Sequence, residues 1–345
     1  MMKVAINGFG RIGRLILRAF WERSTANFDI VAINDLQNLD TALHLLKYDS
    51  AHGHIGGNVQ KIAADEFEMN ANRFTYLSEK CPDKLPWRDL KIDLVLECTG
   101  MLKTRSQCEA HIRAGASRVL VSRPVDDADN TIVYGVNHKS LDFRKDFVVS
   151  NASCTTNCLA HIVKAVHQWI GIERGFATTI HSYTGDQRLV DTNHTDLRRS
   201  RAAACSMIPT STGATKTIER IFPELGEKLS GLSIRVPTPN VSMVDFTFVA
   251  AKKITENDLR QVIVDYSAST VSQLSGDKNI FSYTDDQLVS CDFNTYPHSA
   301  IVDIPLLKVI DGNLGHVVAW YDNEWGFSHR MLDTAALIAV QPAGK

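Results

Sequence analysis

The sequence lacks the features that mark membrane, nucleic-acid-binding and disulfide-rich proteins. No run reaches the roughly 18 apolar residues that a membrane-spanning helix needs. The net charge is only −2 over 345 residues, which favours neither a nucleic-acid surface nor a polybasic membrane patch. Seven cysteines are an odd number without the paired spacing of a zinc site. They predict free thiols in a reducing compartment and no metal centre.

Internal repeats and low-complexity tracts are also absent. A strand-like segment at residues 3–7 starts almost at once, so we expect no signal peptide and a cytoplasmic location.

The length of the chain exceeds what one hydrophobic core usually holds and predicts two domains. We place them at residues 1–152 and 153–322, with a C-terminal helix over 323–345 that packs back on the first domain.

A glycine motif lies between a predicted strand and a predicted helix near the start of the chain. The G-x-G-x-x-G motif reads Gly8-Phe9-Gly10-Arg11-Ile12-Gly13, and the next predicted strand, over 28–34, ends at Asp35. In this context the motif predicts a dinucleotide whose pyrophosphate approaches backbone N–H groups at a helix N-terminus. Asp35 would accept hydrogen bonds from the adenosine ribose and repel a 2′-phosphate, which favours NAD over NADP.

Strands and helices alternate over about the first 150 residues, which predicts an α/β domain with a doubly wound parallel sheet of Rossmann type. Predicted strands at 94–100 and 118–122 end at small residues. Because cofactors bind beside the carboxyl ends of such strands, we expect Thr99, Gly100 and Ser122 to border the cofactor cleft.

The second half of the chain has longer strands and fewer helices, which predicts an α+β catalytic domain with a mainly antiparallel sheet. Segments 232–241 and 242–251 are expected to pair with each other, and 288–293 is expected to be a strand. A polar stretch over 184–201 is too long for a simple turn and is expected to be a functional loop.

Cys154 stands at the start of a predicted helix, between two small hydroxyl residues. A helix N-terminus favours thiolate over thiol. An isolated cysteine is nevertheless more often buried and inert. The predicted strand over 176–183 contributes His181, which is a candidate base.

Seven segments resemble the glyceraldehyde-3-phosphate dehydrogenase family, which includes the erythrose-4-phosphate dehydrogenases. The runs SNASCTTNC and WYDNEWG are the most specific of them. The resemblance covers essentially the whole chain and implies an NAD-binding first domain and a homotetramer. Its segments are 7–13, 150–158, 181–188, 196–201, 208–213, 235–240 and 320–326.

The resemblance pairs Cys154 with His181. A thiolate would add to the aldehyde to form a thiohemiacetal, since an aldehyde does not easily lose hydride directly. His181 would hold the thiolate in an ion pair and then take the hydroxyl proton as hydride leaves for the nicotinamide. The backbone N–H of Cys154 is placed to stabilise the oxyanion, and a thioester results.

Two anion sites and further cofactor contacts are implied by the same resemblance. The site for attacking phosphate would consist of Ser153, Thr155, Arg199, Thr212 and the backbone of Gly213. The site for the phosphate of the substrate would consist of Thr184, Asp186 and Arg235. Asn323 would hydrogen-bond the nicotinamide carboxamide, and Lys80 would touch the cofactor.

The leading hypothesis is oxidation of glyceraldehyde 3-phosphate with NAD and inorganic phosphate, without nucleic-acid or membrane partners. The retained pairs Tyr183-Thr184 and Thr212-Gly213 favour it. Segments 85–88, 292–294 and 297–303 instead resemble the erythrose-4-phosphate branch, whose members hydrolyse the thioester, so the tetrose reaction stays open as a second hypothesis.

A third hypothesis, from a different functional class, is a catalytically silent NAD-binding regulator. The intact pair of Cys154 and His181 argues against it. The choice of cofactor is a separate question, because Thr192-Asn193 stands where NAD-specific members usually carry Leu-Pro near the adenosine ribose of a neighbouring subunit. This departure predicts some use of NADP beside NAD.

Overall fold

The computed structural model describes residues 1–23, 27–273 and 280–340. The chain divides into two compact units. The first combines Met1–Ala152 with Ser328–Lys345, and the second is Ser153–Phe327. The last five residues of the helix expected over 323–345 lie outside the described residues.

The first unit holds the following strands and helices. Its strands are β1 (Met2–Asn7), β2 (Phe28–Asn34), β3 (Tyr48–Asp49), β4 (Gly53–His54), β5 (Val59–Ala63), β6 (Glu66–Met69), β7 (Asn72–Leu77), β8 (Leu94–Glu97), β9 (Arg118–Val121), β10 (Asn130–Thr131) and β11 (Val148–Ser150). Its helices are α1 (Arg11–Glu22), α2 (Leu39–Lys47), α3 (Trp87–Leu90), α4 (Arg105–Cys108) and α5 (Ala110–Arg113).

Within the described residues, nine of these strands form one sheet in the order β10-β11-β9-β8-β1-β2-β7-β6-β5. Neighbouring strands from β10 to β7 are parallel, while β5 and β6 add antiparallel strands at one edge. The middle strands are buried and mostly apolar, as in Leu94–Glu97, which is expected where a parallel sheet is covered on both faces. The predicted parallel α/β domain is confirmed.

This sheet brings the cofactor candidates together at the carboxyl ends of its central parallel strands. The parallel strands β1, β2 and β8 are neighbours, and their carboxyl ends lead into Gly8, Asp35 and Thr99 respectively. Parallel strands end on the same side of a sheet, so the glycine motif and the acidic residue meet there.

The second unit holds the remaining elements. Its helices are α6 (Cys154–Trp169), α7 (Ala214–Ile221) and α8 (Glu256–Gln273). Its strands are β12 (Ile172–Ser182), β13 (Ile208–Thr210), β14 (Leu229–Val236), β15 (Ser242–Ala250), β16 (Phe281–Thr284), β17 (Ala300–Asp303), β18 (Lys308–Ile310) and β19 (Leu314–Tyr321). Helix α9 (Trp325–Val340) begins here, and most of its residues belong to the first unit.

The second sheet runs β13-β14-β12-β15-β19-β17-β16 across the described residues, with β18 paired to β19. Most pairs are antiparallel, but β12 with β14 and β16 with β17 are parallel. The expected pairing of 232–241 with 242–251 is wrong, because β12 lies between β14 and β15. The chain leaves β14 at Val236 and returns on the other side of β12.

One local expectation also differs from the structure. Residues 288–293 do not form a strand; Ser290–Phe293 is a single 3₁₀ turn, with the Asp292 carboxylate accepting a hydrogen bond from the N–H of Val289. Residues 105–113 form two short helices, α4 and α5, which meet at Glu109. Among the described residues, no helix has both the length and the apolarity to cross a bilayer.

Candidate active site

Cys154 is the first residue of α6. Ser153 before it is extended, and its hydroxyl accepts a hydrogen bond from the N–H of Thr156 at 3.0 Å. This is an N-cap, which ends the preceding loop and starts the helix at the cysteine. The predicted position of Cys154 at a helix N-terminus is therefore found in the structure.

His181 reaches the cysteine from β12. Its Nε2 lies 3.5 Å from Sγ of Cys154. The parallel register of β12 and β14 sets His181 beside Arg235, and Nη1 of Arg235 lies 2.8 Å from Nδ1 of His181. The imidazole thus lies between the thiol on its Nε2 side and the guanidinium on its Nδ1 side.

Burial shifts the pKa values of the thiol and the imidazole in opposite directions, whereas the charge of Arg235 lowers both. Burial raises the pKa of the Cys154 thiol, and the positive charge of Arg235 together with hydrogen bonds at the helix start only partly offsets this. Burial, followed by the charge of Arg235, lowers the pKa of His181 to about 3. Burial therefore opposes the thiolate–imidazolium pair expected from the sequence, and the charge of Arg235 favours the thiolate but opposes the imidazolium.

Two groups compete for Nδ1 of His181. The carbonyl oxygen of Ser182 lies 2.8 Å from it and requires a hydrogen on Nδ1. The guanidinium of Arg235 is also 2.8 Å away, and it can only donate. Arg235 can instead donate to the Ser182 oxygen at 3.1 Å, so that carbonyl can bind both groups at once.

The residues expected in the anion site for attacking phosphate lie in different local settings. The hydroxyl of Thr155 lies 2.9 Å from the hydroxyl of Tyr321, in the interior. Arg199 donates from Nε to Thr210 at 3.0 Å and from Nη1 to Asp186 at 2.5 Å. The contact between Arg199 and Asp186 thereby joins one residue from each of the two expected anion sites.

Further members of the expected anion sites lie at the start of α7 and after β12. Gly213 is the N-cap of α7, and a Cβ there would meet nothing within 4 Å. The hydroxyl of Thr212 accepts the N–H of Ala214 at 3.2 Å. Thr184 is partly buried and donates its N–H to the side chain of Gln187 at 3.3 Å. These backbone and hydroxyl groups are suitable donors for an oxyanion.

A cavity of about 390 Å³ lies in the first unit at the carboxyl ends of the parallel strands. It is lined by five of the residues predicted to bind the cofactor, namely Gly8, Gly10, Asp35, Lys80 and Thr99. The same cavity is lined by Asn7, Asn34, Leu36, Glu79, Pro82, Cys98, Met101 and Leu102. The asparagines follow from their place at the ends of β1 and β2, which the sequence could have indicated.

The glycine motif fits a dinucleotide. A Cβ on Gly10 would meet no atom within 4 Å, so the backbone at the start of α1 is open to a ligand. A Cβ on Gly13 would overlap the carbonyl oxygen of Gly8, so this glycine allows the helix to lie close to the strand. Both oxygens of Asp35 accept backbone N–H groups, from Phe9 at 2.5 Å and Gln37 at 2.9 Å, and each keeps a further lone pair.

The remaining cofactor candidates in the first unit lie at the start of α1 or after the carboxyl ends of β8 and β9. Arg11 holds Asp49 with both terminal nitrogens, at 2.5 and 3.2 Å, so its backbone rather than its side chain is available to a ligand. Ile12 is the second residue of α1. The carbonyl of Gly100 accepts from Arg123 at 2.8 Å. Ser122 follows β9 and its N–H donates to the carbonyl of Glu97.

Asn323 lies in the second unit, in the turn between β19 and α9. Its side-chain oxygen accepts hydrogen bonds from the hydroxyls of Ser182 and Ser242, both at 2.9 Å. Neither serine was expected from the sequence. Tyr321 was also not expected, although it lies in the run WYDNEWG and its hydroxyl contacts both Thr155 and Thr179 at 2.9 Å.

Comparison with known proteins gives the same assignment for both halves of the chain. Residues 2–105 match the glyceraldehyde 3-phosphate dehydrogenase NAD binding domain, and residues 153–323 match the C-terminal domain of that family. Proteins named glyceraldehyde-3-phosphate dehydrogenase are similar over nearly their whole length. The protein from Xanthobacter flavus is 51% identical over 97% of both chains. Those from Zymomonas mobilis and Geobacillus stearothermophilus are 49% and 44% identical over 98% of both chains.

Proposed function

Because the chain belongs to the glyceraldehyde-3-phosphate dehydrogenase family, we propose that it oxidises D-glyceraldehyde 3-phosphate with NAD and inorganic phosphate to 1,3-bisphosphoglycerate. The chain is an NAD-dependent oxidoreductase of that family. The observation that carries the reaction is the 3.5 Å approach of Cys154 Sγ to His181 Nε2, with Arg235 on the far side of the imidazole. A thiol beside a base is the arrangement that nucleophilic catalysis requires.

The first step is addition of the thiol to the aldehyde. A bond forms between Sγ and the carbonyl carbon, and the thiol proton passes through Nε2 of His181 to the carbonyl oxygen. A neutral imidazole suits this role, because it can accept a proton from one group and give it to another. The hydrogen bond from Nδ1–H to Ser182 leaves Nε2 bare and facing the thiol.

The second step converts the thiohemiacetal into a thioester. His181 takes the hydroxyl proton on Nε2 while the carbon loses hydride, for which bound NAD supplies the acceptor. N–H groups in the first turn of α6 are directed towards developing negative charge on the substrate oxygen. An oxygen of inorganic phosphate then attacks the thioester carbon and the carbon–sulfur bond breaks. The leaving thiolate takes the Nε2 proton of His181, and the acyl phosphate is released while the phosphate proton passes to solvent.

Binding of the two phosphates is proposed for the hydroxyls and guanidinium groups around this pair. Ser153, Thr155, Arg199, Thr212 and Gly213 would bind the attacking phosphate. Thr184, Asp186 and Arg235 would bind the phosphate of the substrate. The Arg199–Asp186 contact supports a coupled arrangement, in which filling one anion site alters the partners of the other.

Cofactor binding is proposed for the edge of the first sheet. Gly10 and the start of α1 would hold the pyrophosphate, and Asp35 would hold the adenosine ribose, as the open space at Gly10 supports. Phe9, Ile12 and Gly13 shape that turn, while Lys80, Thr99, Gly100 and Ser122 border the cleft. Asn323 would hydrogen-bond the nicotinamide carboxamide.

Initial rates with two aldehydes test the assignment. The purified protein is assayed with glyceraldehyde 3-phosphate and erythrose 4-phosphate, each with and without inorganic phosphate. A preference for the triose together with strong dependence on phosphate is expected. Turnover of the tetrose that does not need phosphate would instead assign the erythrose-4-phosphate reaction, and no NAD reduction with either aldehyde would identify a silent NAD-binding protein.

A homotetramer is proposed together with this activity. Several large apolar side chains between 189 and 207 are exposed in the single chain, including Leu189, Leu197 and Met207 at 82, 82 and 75%. A patch of this kind normally marks a protein interface. Sedimentation equilibrium checks the mass, and a monomer at micromolar concentration would contradict the proposal.

Two further proposals concern the cofactor choice and the compartment. The polar pair Thr192-Asn193 supports some use of NADP beside NAD. The test is the kcat/KM for NAD divided by the kcat/KM for NADP, and a value at or below one would show that NAD is not preferred. All seven cysteines are free, and this supports a reducing compartment such as the cytoplasm.

A further inference from the structure

The side chain of Asn323 is held by two buried serines from neighbouring strands. Ser182 ends β12 and Ser242 begins β15, and each donates its hydroxyl to Oδ1 of Asn323 at 2.9 Å. All three residues are at most 5% exposed. Buried polar groups of this kind are rarely displaced, because an unpaired hydroxyl or amide costs free energy.

The serines determine which end of the amide faces away from them. The hydroxyl oxygen of Ser242 already accepts the N–H of Ser182 at 3.1 Å, so its hydrogen is free to be given to Asn323. Two hydroxyl donors on one side match the amide oxygen and leave the amide nitrogen on the other side. The end of Asn323 that faces away from the serines is thus a hydrogen-bond donor.

The backbone that carries Asn323 is also fixed. The carboxylate of Asp322, 1% exposed, accepts the N–H groups of Glu324 and Trp325 at 2.9 and 2.8 Å and thereby caps the start of α9. Its other oxygen accepts from Thr295 N–H and from Asn240 Nδ2, both at 2.8 Å. Neither the peptide nor the side chain of the turn is free to rotate.

We propose that Ser182 and Ser242 are positioning residues that make Asn323 a donor, so that it binds the oxygen rather than the nitrogen of the nicotinamide carboxamide. The inference rests on the proposed function, in which Asn323 contacts that carboxamide. An amide turned by 180° would present an acceptor and would bind the carboxamide nitrogen instead. Because the carboxamide is attached to the ring, the orientation of Asn323 then selects how the nicotinamide lies at the reacting carbon.

A cofactor analogue separates orientation from general stability. In 3-acetylpyridine adenine dinucleotide a methyl group replaces the carboxamide nitrogen, so only the oxygen can bind Asn323. The test measures Kd by calorimetry, without substrate, for NAD and for this analogue. The proteins compared are the full-length wild type and the double variant Ser182→Ala/Ser242→Ala.

The expected result is an unequal loss of affinity. With the serines removed, the freed amide can turn and still bind the nitrogen of NAD, so NAD loses only a few-fold. The analogue has no such group and loses about tenfold, the worth of one net hydrogen bond. Each single variant retains one serine and is expected to lie between wild type and the double variant.

A matched control is available on β14. Ser233 is buried, and its hydroxyl has no hydrogen-bond partner among the residues that the structure describes. Ser233→Ala is expected to bind both dinucleotides as the wild type does. Equal losses of NAD and analogue in the double variant would show a merely structural role and overturn the proposal.

Asn323→Ala distinguishes this inference from the function on which it rests. If this variant weakens binding of both dinucleotides while the double serine variant matches the wild type, the positioning role is overturned. If Asn323→Ala itself binds both dinucleotides normally, the proposed contact between Asn323 and the carboxamide is wrong.

Discussion

Arg235 and His181 face each other across neighbouring parallel strands, with the guanidinium Nη1 2.8 Å from the imidazole Nδ1. A fixed positive charge at this distance opposes protonation of the ring, and burial acts in the same direction. The charge and the burial therefore both favour the neutral form of the ring.

The lowered pKa of His181, about 3 in the folded chain, predicts sensitivity to acid. Below the unfolded value of about 6.5 the unfolded chain binds a proton at this residue that the folded chain does not. The contribution of His181 to the free energy of unfolding is thus fully present above pH 6.5 and is lost as the pH falls towards 3. His181→Gln removes this loss, so its free energy of unfolding relative to wild type should improve by about 2 kcal/mol between pH 7.5 and 5.

Urea denaturation at several pH values measures this difference. Parallel curves for wild type and His181→Gln between pH 7.5 and 5 would contradict the prediction.

Arg235→Gln should reduce the same acid sensitivity in part. Removing the guanidinium charge raises the pKa of His181 in the folded chain and brings it closer to the pKa in the unfolded chain. The effect of burial on this pKa remains, so the acid sensitivity is reduced only in part. Arg235→Lys keeps a positive charge and is the matched control. Identical slopes of unfolding free energy against pH for Arg235→Gln and wild type would show that the charge does not act on His181.

Gly10 and Gly13 should respond differently to alanine. At Gly13 a Cβ would overlap the Gly8 carbonyl, so Gly13→Ala should lower the free energy of unfolding by about 2 kcal/mol. At Gly10 there is space for a methyl group, so Gly10→Ala should cost about 1 kcal/mol or less. The methyl group would nevertheless occupy the approach to the start of α1, and NAD binding should weaken by about tenfold or more.

Calorimetric titration with NAD and urea denaturation of the same two variants test this pair. A Gly10→Ala protein that binds NAD as tightly as the wild type would contradict the assignment of the pyrophosphate site.

Cys154 and Cys158 lie four residues apart on α6 but should differ in their contribution to catalysis. Cys154 faces His181, whereas Cys158 is fully buried and burial raises its pKa well above the ordinary value. Cys154→Ser should lower kcat by more than about 10³-fold while the fold is kept. Cys158→Ala should stay within a few-fold of wild type, and full activity in Cys154→Ser would rule out the covalent mechanism.

Sequence patterns predicted the parts of this site that depend on short-range order. A cap residue, a helix and a cysteine are adjacent in the chain, so Ser153 and Cys154 could be assigned from local propensity. The glycine motif could be assigned for the same reason, because the strand, turn and helix around it are contiguous.

The remainder depends on which strands become neighbours. Placement of β12 between β14 and β15 sets His181 beside Arg235 and Ser182 beside Ser242, and no local pattern contains that order. Burial of the thiol and the imidazole follows from the same packing, and it shifts both pKa values against the ion pair that the sequence led us to expect. A 3₁₀ turn was mistaken for a strand at 288–293, because a short apolar run is ambiguous between the two.

The first unit is discontinuous in the chain, since Ser328 onwards joins residues 1–152 after the whole second unit has intervened. Arg23 pairs with Asp333 at 2.9 Å, and Asn151 accepts a hydrogen bond from Thr334 at 2.8 Å. During synthesis the N-terminal sheet therefore leaves the ribosome long before these partners exist. The first unit can be completed only near the end of translation, whereas the second is a continuous segment that can fold as soon as it has emerged.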